Sequence, residues 1–131
     1  MSRKGTPARR WLTWVVLLHL AVSVVHGIAH VRAHVALSQP ASLFVFIVIL
    51  IGPLVGLALI WPVRRIGSWM VAITMSSSFV FGVVNHFLLV GNDHVTHVDP
   101  QWRTLFATSA IILAGIELLG SGLAIACARE R

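Results

Sequence analysis

Histidines recur at regular intervals in the segment HLAVSVVHGIAHVRAHV. His26, His30 and His34 are four residues apart, and His19 lies seven residues before His26. An α-helix turns by about 100° per residue, so the four side chains would occupy one sector of its surface about 80° wide. Imidazole nitrogens bind zinc, copper and iron, and two of them four residues apart on a helix can bind one ion. The spacing therefore predicts a metal-binding helix face.

A second set of ligand-type residues lies in the segment NHFLLVGNDHVTHVD. His86 is near the end of an apolar run. Asp93, His94, His97 and Asp99 follow in the connection to the next helix. The helical rise of about 1.5 Å per residue places His30 and His86 at matching depths, each near the same end of its helix. We therefore predict three principal ligands, His26, His30 and His86, and four auxiliary ligands, His34, Asp93, His94 and His97.

One ionisable residue, Glu117, lies deep inside the last apolar run. A charged side chain in hydrocarbon is costly unless it is paired. At about 1.5 Å per residue, Glu117 and His19 lie about 15 Å and 12 Å from the same membrane surface. The two residues are predicted to form an intramembrane polar pair, either as a structural hydrogen bond or as part of a proton relay.

Four apolar runs would carry these residues, at about residues 11–31, 41–61, 66–90 and 104–128. Each run reaches the length of about 20 residues that a helix needs to cross a membrane. Of the 131 residues, 57% are hydrophobic and only 11% are charged, whereas a soluble domain is about one quarter charged. The predicted fold class is an all-α membrane protein, a single integral domain over residues 1–131 built as a bundle of four transmembrane helices.

The formal net charge of +6 does not indicate a nucleic-acid partner, because the basic residues have a topological pattern. Arg32 and Arg103 lie on one side of a four-span bundle, and the other eight lysines and arginines lie on the opposite side. Connections and chain ends that are rich in lysine and arginine remain in the cytoplasm. The pattern predicts cytoplasmic termini, a place in the cytoplasmic membrane of a prokaryote, contact with the lipid bilayer and an outward-facing histidine cluster.

Cys127 is the single cysteine, so no internal disulfide can form and metal chemistry must use histidine and carboxylate. The basic start, the first apolar run and the small residue Ala33 also fit a cleavable signal peptide. The histidine face argues against cleavage, because it makes the first segment part of the bundle.

Haem b is the alternative cofactor. Four-helix membrane bundles can hold haem between axial imidazoles from facing helices. His26 or His30 opposite His86 would supply these ligands, and Gly27 and Gly82 would leave space for the porphyrin. Haem uses only two of the clustered histidines. Binding of zinc, copper or iron is therefore the first hypothesis, and a bis-histidine haem protein that transfers electrons is the second.

A non-catalytic accessory subunit of a larger membrane complex, or a homo-oligomer, is the third hypothesis. Its histidines would lie at an interface or respond to pH, since imidazole titrates near neutrality. The sequence contains no recognisable hydrolase triad or phosphate-binding glycine loop. Membrane di-iron oxygenases use more histidines, and on the cytoplasmic side. The balance of these observations is against an enzyme.

Overall fold

Four long helices form the structure. The computed structural model describes residues 7–130, and there is no strand in that range. The helices are α1 (Pro7–Arg32), α2 (Gln39–Leu59), α3 (Arg64–Leu88) and α4 (Pro100–Arg129). Each is long and apolar enough to cross a membrane, which confirms the predicted all-helical architecture with four helices able to span.

The helices pack side by side in the order α1, α4, α3, α2. Helix α4 contacts both α1 and α3, and α3 also packs against α2. Helix α1 approaches α2 mainly at the second half of α2, Gly52–Leu59. The first half of α2 therefore leaves a gap beside α1. We call the end that holds residues 7 and 130 the termini end, and the opposite end the loop end.

Apolar side chains fill the termini half of the bundle. Leu12, Val16, Val71, Met75 and Cys127 are buried there in one cluster. Close approach of the helices depends on small residues, as is usual in membranes. A Cβ atom on Gly67 of α3 would collide with the backbone of α2 at Gly56 and Ile60. The polar residues of interest lie on the loop side of this core.

Two of the helices contain a wide, π-helical turn. In α2 it covers Val45–Ile51, just before Pro53, which has no N–H to donate. In α3 it covers Val84–Leu88, where the Leu89 N–H donates to the Val84 carbonyl at 2.8 Å. Such turns insert one extra residue and are frequent at functional sites. His86 lies within the second of them.

The outer surface of the bundle is largely apolar. Ile73, Ile111 and Leu118, for example, are all more than half exposed. Large exposed aliphatic faces on helices of this length indicate lipid contact. The described basic residues at the termini end are Arg9, Arg10, Arg64, Arg65 and Arg129, and those at the loop end are Arg32 and Arg103. Arg3, Lys4 and Arg131, which belong to the predicted charge pattern, lie outside the described residues.

Candidate metal centre

Three histidines from two helices meet near the loop end. His26 and His30 come from α1 and His86 comes from the wide turn of α3. One ring nitrogen of each lies within 4.8 Å of the others. His26 and His86 are buried, and His30 is partly buried. We call these three residues the histidine trio.

Phe106 of α4 packs against the whole trio. Its ring centroid is 4.9 Å from that of His26, 4.8 Å from that of His30 and 4.9 Å from that of His86. The Phe106 side chain is fully buried. An apolar wall of this kind excludes water and fixes the three imidazoles in place.

The hydrogen-bond partner of His26 determines which of its nitrogens carries the hydrogen. Nδ1 of His26 is 2.8 Å from Oγ of Ser109 on α4. The Ser109 hydroxyl has a single hydrogen, and it donates to the Leu105 carbonyl at 2.7 Å. With its hydrogen on that carbonyl, Ser109 accepts from His26. This assignment places a hydrogen on Nδ1 of His26 and leaves a lone pair on its Nε2.

His86 is oriented in the same way by the loop that follows it. Its Nδ1 is 3.2 Å from the backbone oxygen of Asp93. A carbonyl oxygen only accepts, so Nδ1 of His86 also carries the hydrogen and its Nε2 also has a free lone pair. Metal-binding histidines usually have such a partner on the second nitrogen, because it fixes the tautomer and the direction of the ring.

The two free nitrogens face each other. Nε2 of His26 lies 3.1 Å from Nε2 of His86. With both lone pairs directed into this short gap, the contact is repulsive unless a cation lies between them, either a metal ion or an added proton. Zn–N bonds of about 2.0–2.1 Å in tetrahedral geometry place two ligand nitrogens about 3.3 Å apart. The observed separation is close to that value.

Asp93 completes one side of the group. Its Oδ1 lies 3.5 Å from Nε2 of His30 and 3.3 Å from Nδ1 of His86. This oxygen is buried and is in hydrogen-bond geometry with neither nitrogen. An ionised carboxylate next to three imidazoles provides negative charge, which favours a bound cation.

The other predicted ligands are not brought to the trio. Helix α1 ends at Arg32, and His34 has a left-handed φ of 55°. The Val35 N–H donates to the His30 carbonyl at 3.0 Å, so His34 is the left-handed residue of a helix-ending motif that glycine usually occupies. It leaves the helix face that carries His26 and His30, and it is exposed.

The two loop histidines have local partners instead. The ring nitrogens of His94 contact Thr96 Oγ1 at 2.7 Å and the Phe87 carbonyl at 3.3 Å. Nδ1 of His97 is 2.8 Å from the Gly91 carbonyl, and the side chain is exposed. Both histidines hold the chain as it leaves α3, and neither lies within ligand distance of the trio.

No family model, curated protein or solved structure matches this chain.

A second polar group lies closer to the middle of the bundle. Nε2 of His19 is 3.2 Å from Oε1 of Glu117, and both side chains are buried. The Ser78 hydroxyl on α3 donates to the same Glu117 oxygen. Similar depth along the helices had suggested the pairing of His19 with Glu117, and Ser78 adds α3 to it. The group thus links three helices.

A cavity of about 420 Å³ connects the two polar groups. His26, His30, His86 and Asp93 line one end of it, and Ser78 and Glu117 line the other. Its remaining walls are mainly apolar side chains from all four helices. The cavity occupies the gap between α1 and the first half of α2.

Sequence reasoning did not identify Ser109, Ser78 or Phe106 as parts of these groups. Ser109 lies 83 positions from His26, and Ser78 lies 39 from Glu117. Spacing rules relate only residues within one helix. The only available signal was that each serine interrupts an apolar run, and a buried hydroxyl needs a partner.

Proposed function

We propose that the protein binds one transition-metal ion, zinc, copper or iron, at the histidine trio. The observation that supports this most directly is the pair of Nε2 atoms of His26 and His86. Their separation of 3.1 Å is close to that of two nitrogens bound to one ion, and with the assigned tautomers both lone pairs are available to it. Borderline metals prefer neutral imidazole.

The ligand set fits a four-coordinate ion. The trio supplies three imidazoles and leaves one position for a further ligand, and Asp93 stands beside it as a charge partner for His30 and His86. Three histidines with one remaining position are typical of reactive zinc and copper sites, whereas a closed set is typical of structural sites. We assign the site to metal handling, sensing or redox rather than to stabilising the fold, because the apolar core at the termini end already joins the helices.

Haem fits the trio less well. Axial nitrogens on opposite sides of a haem iron are about 4 Å apart, since each bond is about 2 Å long. The Nε2 atoms of His26 and His86 are only 3.1 Å apart, and the macrocycle would have to pass between two rings that are in contact. A haem would therefore require α1 and α3 to move apart.

The position of the basic residues supports an outward-facing site. Eight of the ten lysines and arginines flank the termini end, and basic flanks are retained in the cytoplasm. On this basis we propose that both termini are cytoplasmic and that the trio lies near the extracytoplasmic face of the cytoplasmic membrane of a prokaryote. Metal would then reach it from outside the cell.

Elemental analysis of the purified protein, with a visible spectrum of the same sample, tests the proposal. We expect about one equivalent of zinc, copper or iron and no Soret band. The substitution His86→Gln, which keeps size and polarity, should remove the bound metal, whereas His97→Gln should not. Equal metal content in the two variants would overturn the assignment. A Soret band that shifts on reduction would replace it with haem, and neither signal would indicate an accessory subunit.

A further inference from the structure

We propose that the cavity beside the trio binds the ring of a lipid-soluble 1,4-quinone or its quinol, which enters sideways from the membrane between α1 and α2. This binding site goes beyond the metal function. His30 and Asp93 border both sites, but Ser23 and Gly27 border only the cavity, so substitutions at these two positions test the quinone site separately.

The mouth of the cavity faces the surface that contacts lipid. On α1 it is bordered by Val24 and Val31, which are 54% and 75% exposed, and by Gly27 between them. On α2 it is bordered by Val45 and Ile49. An opening with apolar edges on a lipid-facing side admits molecules dissolved in the hydrocarbon and disfavours polar solutes. The ligand is therefore mainly apolar.

Buried polar atoms without partners show where the ligand needs polar groups. In residues 7–130, five buried side-chain nitrogen or oxygen atoms have no hydrogen-bond partner. Three of them belong to residues that line this cavity: Ser23 Oγ, His30 Nδ1 and Asp93 Oδ1. A buried polar atom without a partner destabilises the folded protein. A bound ligand that supplies the missing partners would remove this destabilisation.

The positions of these residues indicate how the polar groups of the ligand are arranged. Ser23 and His30 are seven residues apart on α1, two turns along the same helix face. A ligand that reaches both needs polar groups at two separate positions on a mainly apolar body, as in a six-membered ring with oxygen atoms on opposite corners. A fatty acid, with one polar end, would satisfy only one side.

Both oxidation states of such a ring would find partners. A quinone oxygen only accepts hydrogen bonds, and a quinol hydroxyl can also donate. The Ser23 hydroxyl can do either. Ser78 and Glu117 also line the cavity, and the Asp93 carboxylate accepts from a quinol hydroxyl. The walls between the two ends include Phe81 and Leu113, which are apolar surfaces for the ring face and its substituents.

Gly27 offers a direct way to block this site. A Cβ atom at Gly27 would meet nothing within 4 Å, so a larger side chain there can project into the mouth without disturbing the helix packing. Gly115 on α4 is also exposed and has the same open surroundings, but it does not line the cavity. The variants Gly27→Leu and Gly115→Leu therefore differ mainly in whether the mouth is filled.

Calorimetric titration of the purified protein in detergent with decyl-1,4-benzoquinone, against a detergent blank, tests the proposal. Wild type and Gly115→Leu should bind one equivalent. Gly27→Leu should bind at least about tenfold more weakly, and Ser23→Ala about fivefold more weakly, as expected for one lost hydrogen bond.

Metal content measured on the same samples separates the two functions. Gly27→Leu should keep its metal, and loss of quinone binding with metal retained would support a distinct site. Absence of saturable binding in wild type, or equal binding by both glycine variants, would overturn the proposal. Saturable binding of decanoic acid without binding of the quinone would overturn it in favour of a fatty acid. The quinone and decanoic acid titrations are interpreted without the metal content, so they test this site even if the trio binds no metal.

Discussion

Nε2 of His26 and Nε2 of His86 lie 3.1 Å apart, although 60 residues separate them in the chain. Each ring has its other nitrogen directed at a fixed acceptor, Ser109 Oγ for His26 and the Asp93 carbonyl for His86. The geometry of the trio is therefore set largely by its neighbours in α4 and in the loop after α3. Preorganisation of this kind raises metal affinity, because the ligands need little reordering on binding.

The partner of His26 should affect metal affinity without being a ligand. Ser109→Ala removes the acceptor that fixes Nδ1, so the ring can rotate and adopt the other tautomer. Loss of such a partner weakens metal binding by about 10–100-fold. We expect this loss in competition titrations with a chelator, with one ion still bound at saturation. Thr108→Ala, which removes an exposed hydroxyl next to it, should leave affinity unchanged. An unchanged affinity in Ser109→Ala would show that the hydroxyl does not orient His26.

The charge of Asp93 should contribute to the same affinity. Asp93→Asn keeps the backbone carbonyl that contacts His86 but removes the negative charge beside His30 and His86. We expect affinity for a divalent ion to fall by about tenfold or more, since the partner groups around a metal are worth about that much. Asp99→Asn is the matched control. Its side chain accepts from the Gln101 N–H at the start of α4, and asparagine caps a helix equally well.

The contact between His19 and Glu117 should be measurable as a coupling energy. His19→Leu and Glu117→Leu each leave a buried polar partner without its contact, whereas the double variant leaves an apolar pair. We expect both single variants to be destabilised and the double variant to recover part of the loss. The coupling should be about 0.6 kcal/mol and at most about 1.7 kcal/mol, the range for polar contacts between membrane helices.

The hydroxyls of Ser76 and Ser121, 3.0 Å apart between the same two helices as Ser78 and Glu117, provide a control cycle. Both hydroxyls are neutral, and hydrogen bonds between neutral groups are weaker than those to an ionisable group, so the coupling in the alanine cycle should be the smaller of the two. Reversible unfolding in mixed micelles gives both values. A coupling near zero for His19 and Glu117 would mean that the buried contact adds nothing to the stability of the bundle.

The proposed orientation can be tested with one introduced cysteine. Thr96 is exposed in the loop between α3 and α4, and the native Cys127 is buried. In a Cys127→Ser background, Thr96→Cys should react with a membrane-impermeant maleimide added to intact cells. A cysteine placed at the exposed Arg65 should react only after the cells are opened. The reverse pattern would place the trio on the cytoplasmic side and contradict outward-facing metal binding.

The sequence predicted the large features because they depend on local periodicity. The length of the apolar runs gives four helices, and the spacing of His26 and His30 places both on one face of α1. Counting the helical rise along separate helices places His86 at the level of His30, and Glu117 at the level of His19. These arguments need no knowledge of how the helices are arranged around each other.

The features that could not be predicted from the sequence depend on where the helices end and on the order in which they pack. His34 keeps the spacing of four, but α1 ends before it. The spacing therefore predicted that His34 shares a helix face with His26 and His30, and it does not. Asp93 reaches His30 through a loop whose course no spacing rule describes. Ser109 became a partner of His26 because α4, rather than α2, packs against α1. That order follows from the summed packing of all the helices.

The wide turn at Val84–Leu88 has a consequence for how such a site arises and is lost. A wide turn holds one residue more than an α-turn, and each residue rotates a helix by about 100°. Removal of a single residue within it would turn the remaining side chains of that segment away from α1, with no change in hydrophobicity or length that would affect insertion. In evolutionary terms, gain or loss of the proposed site would require a change of only a single codon.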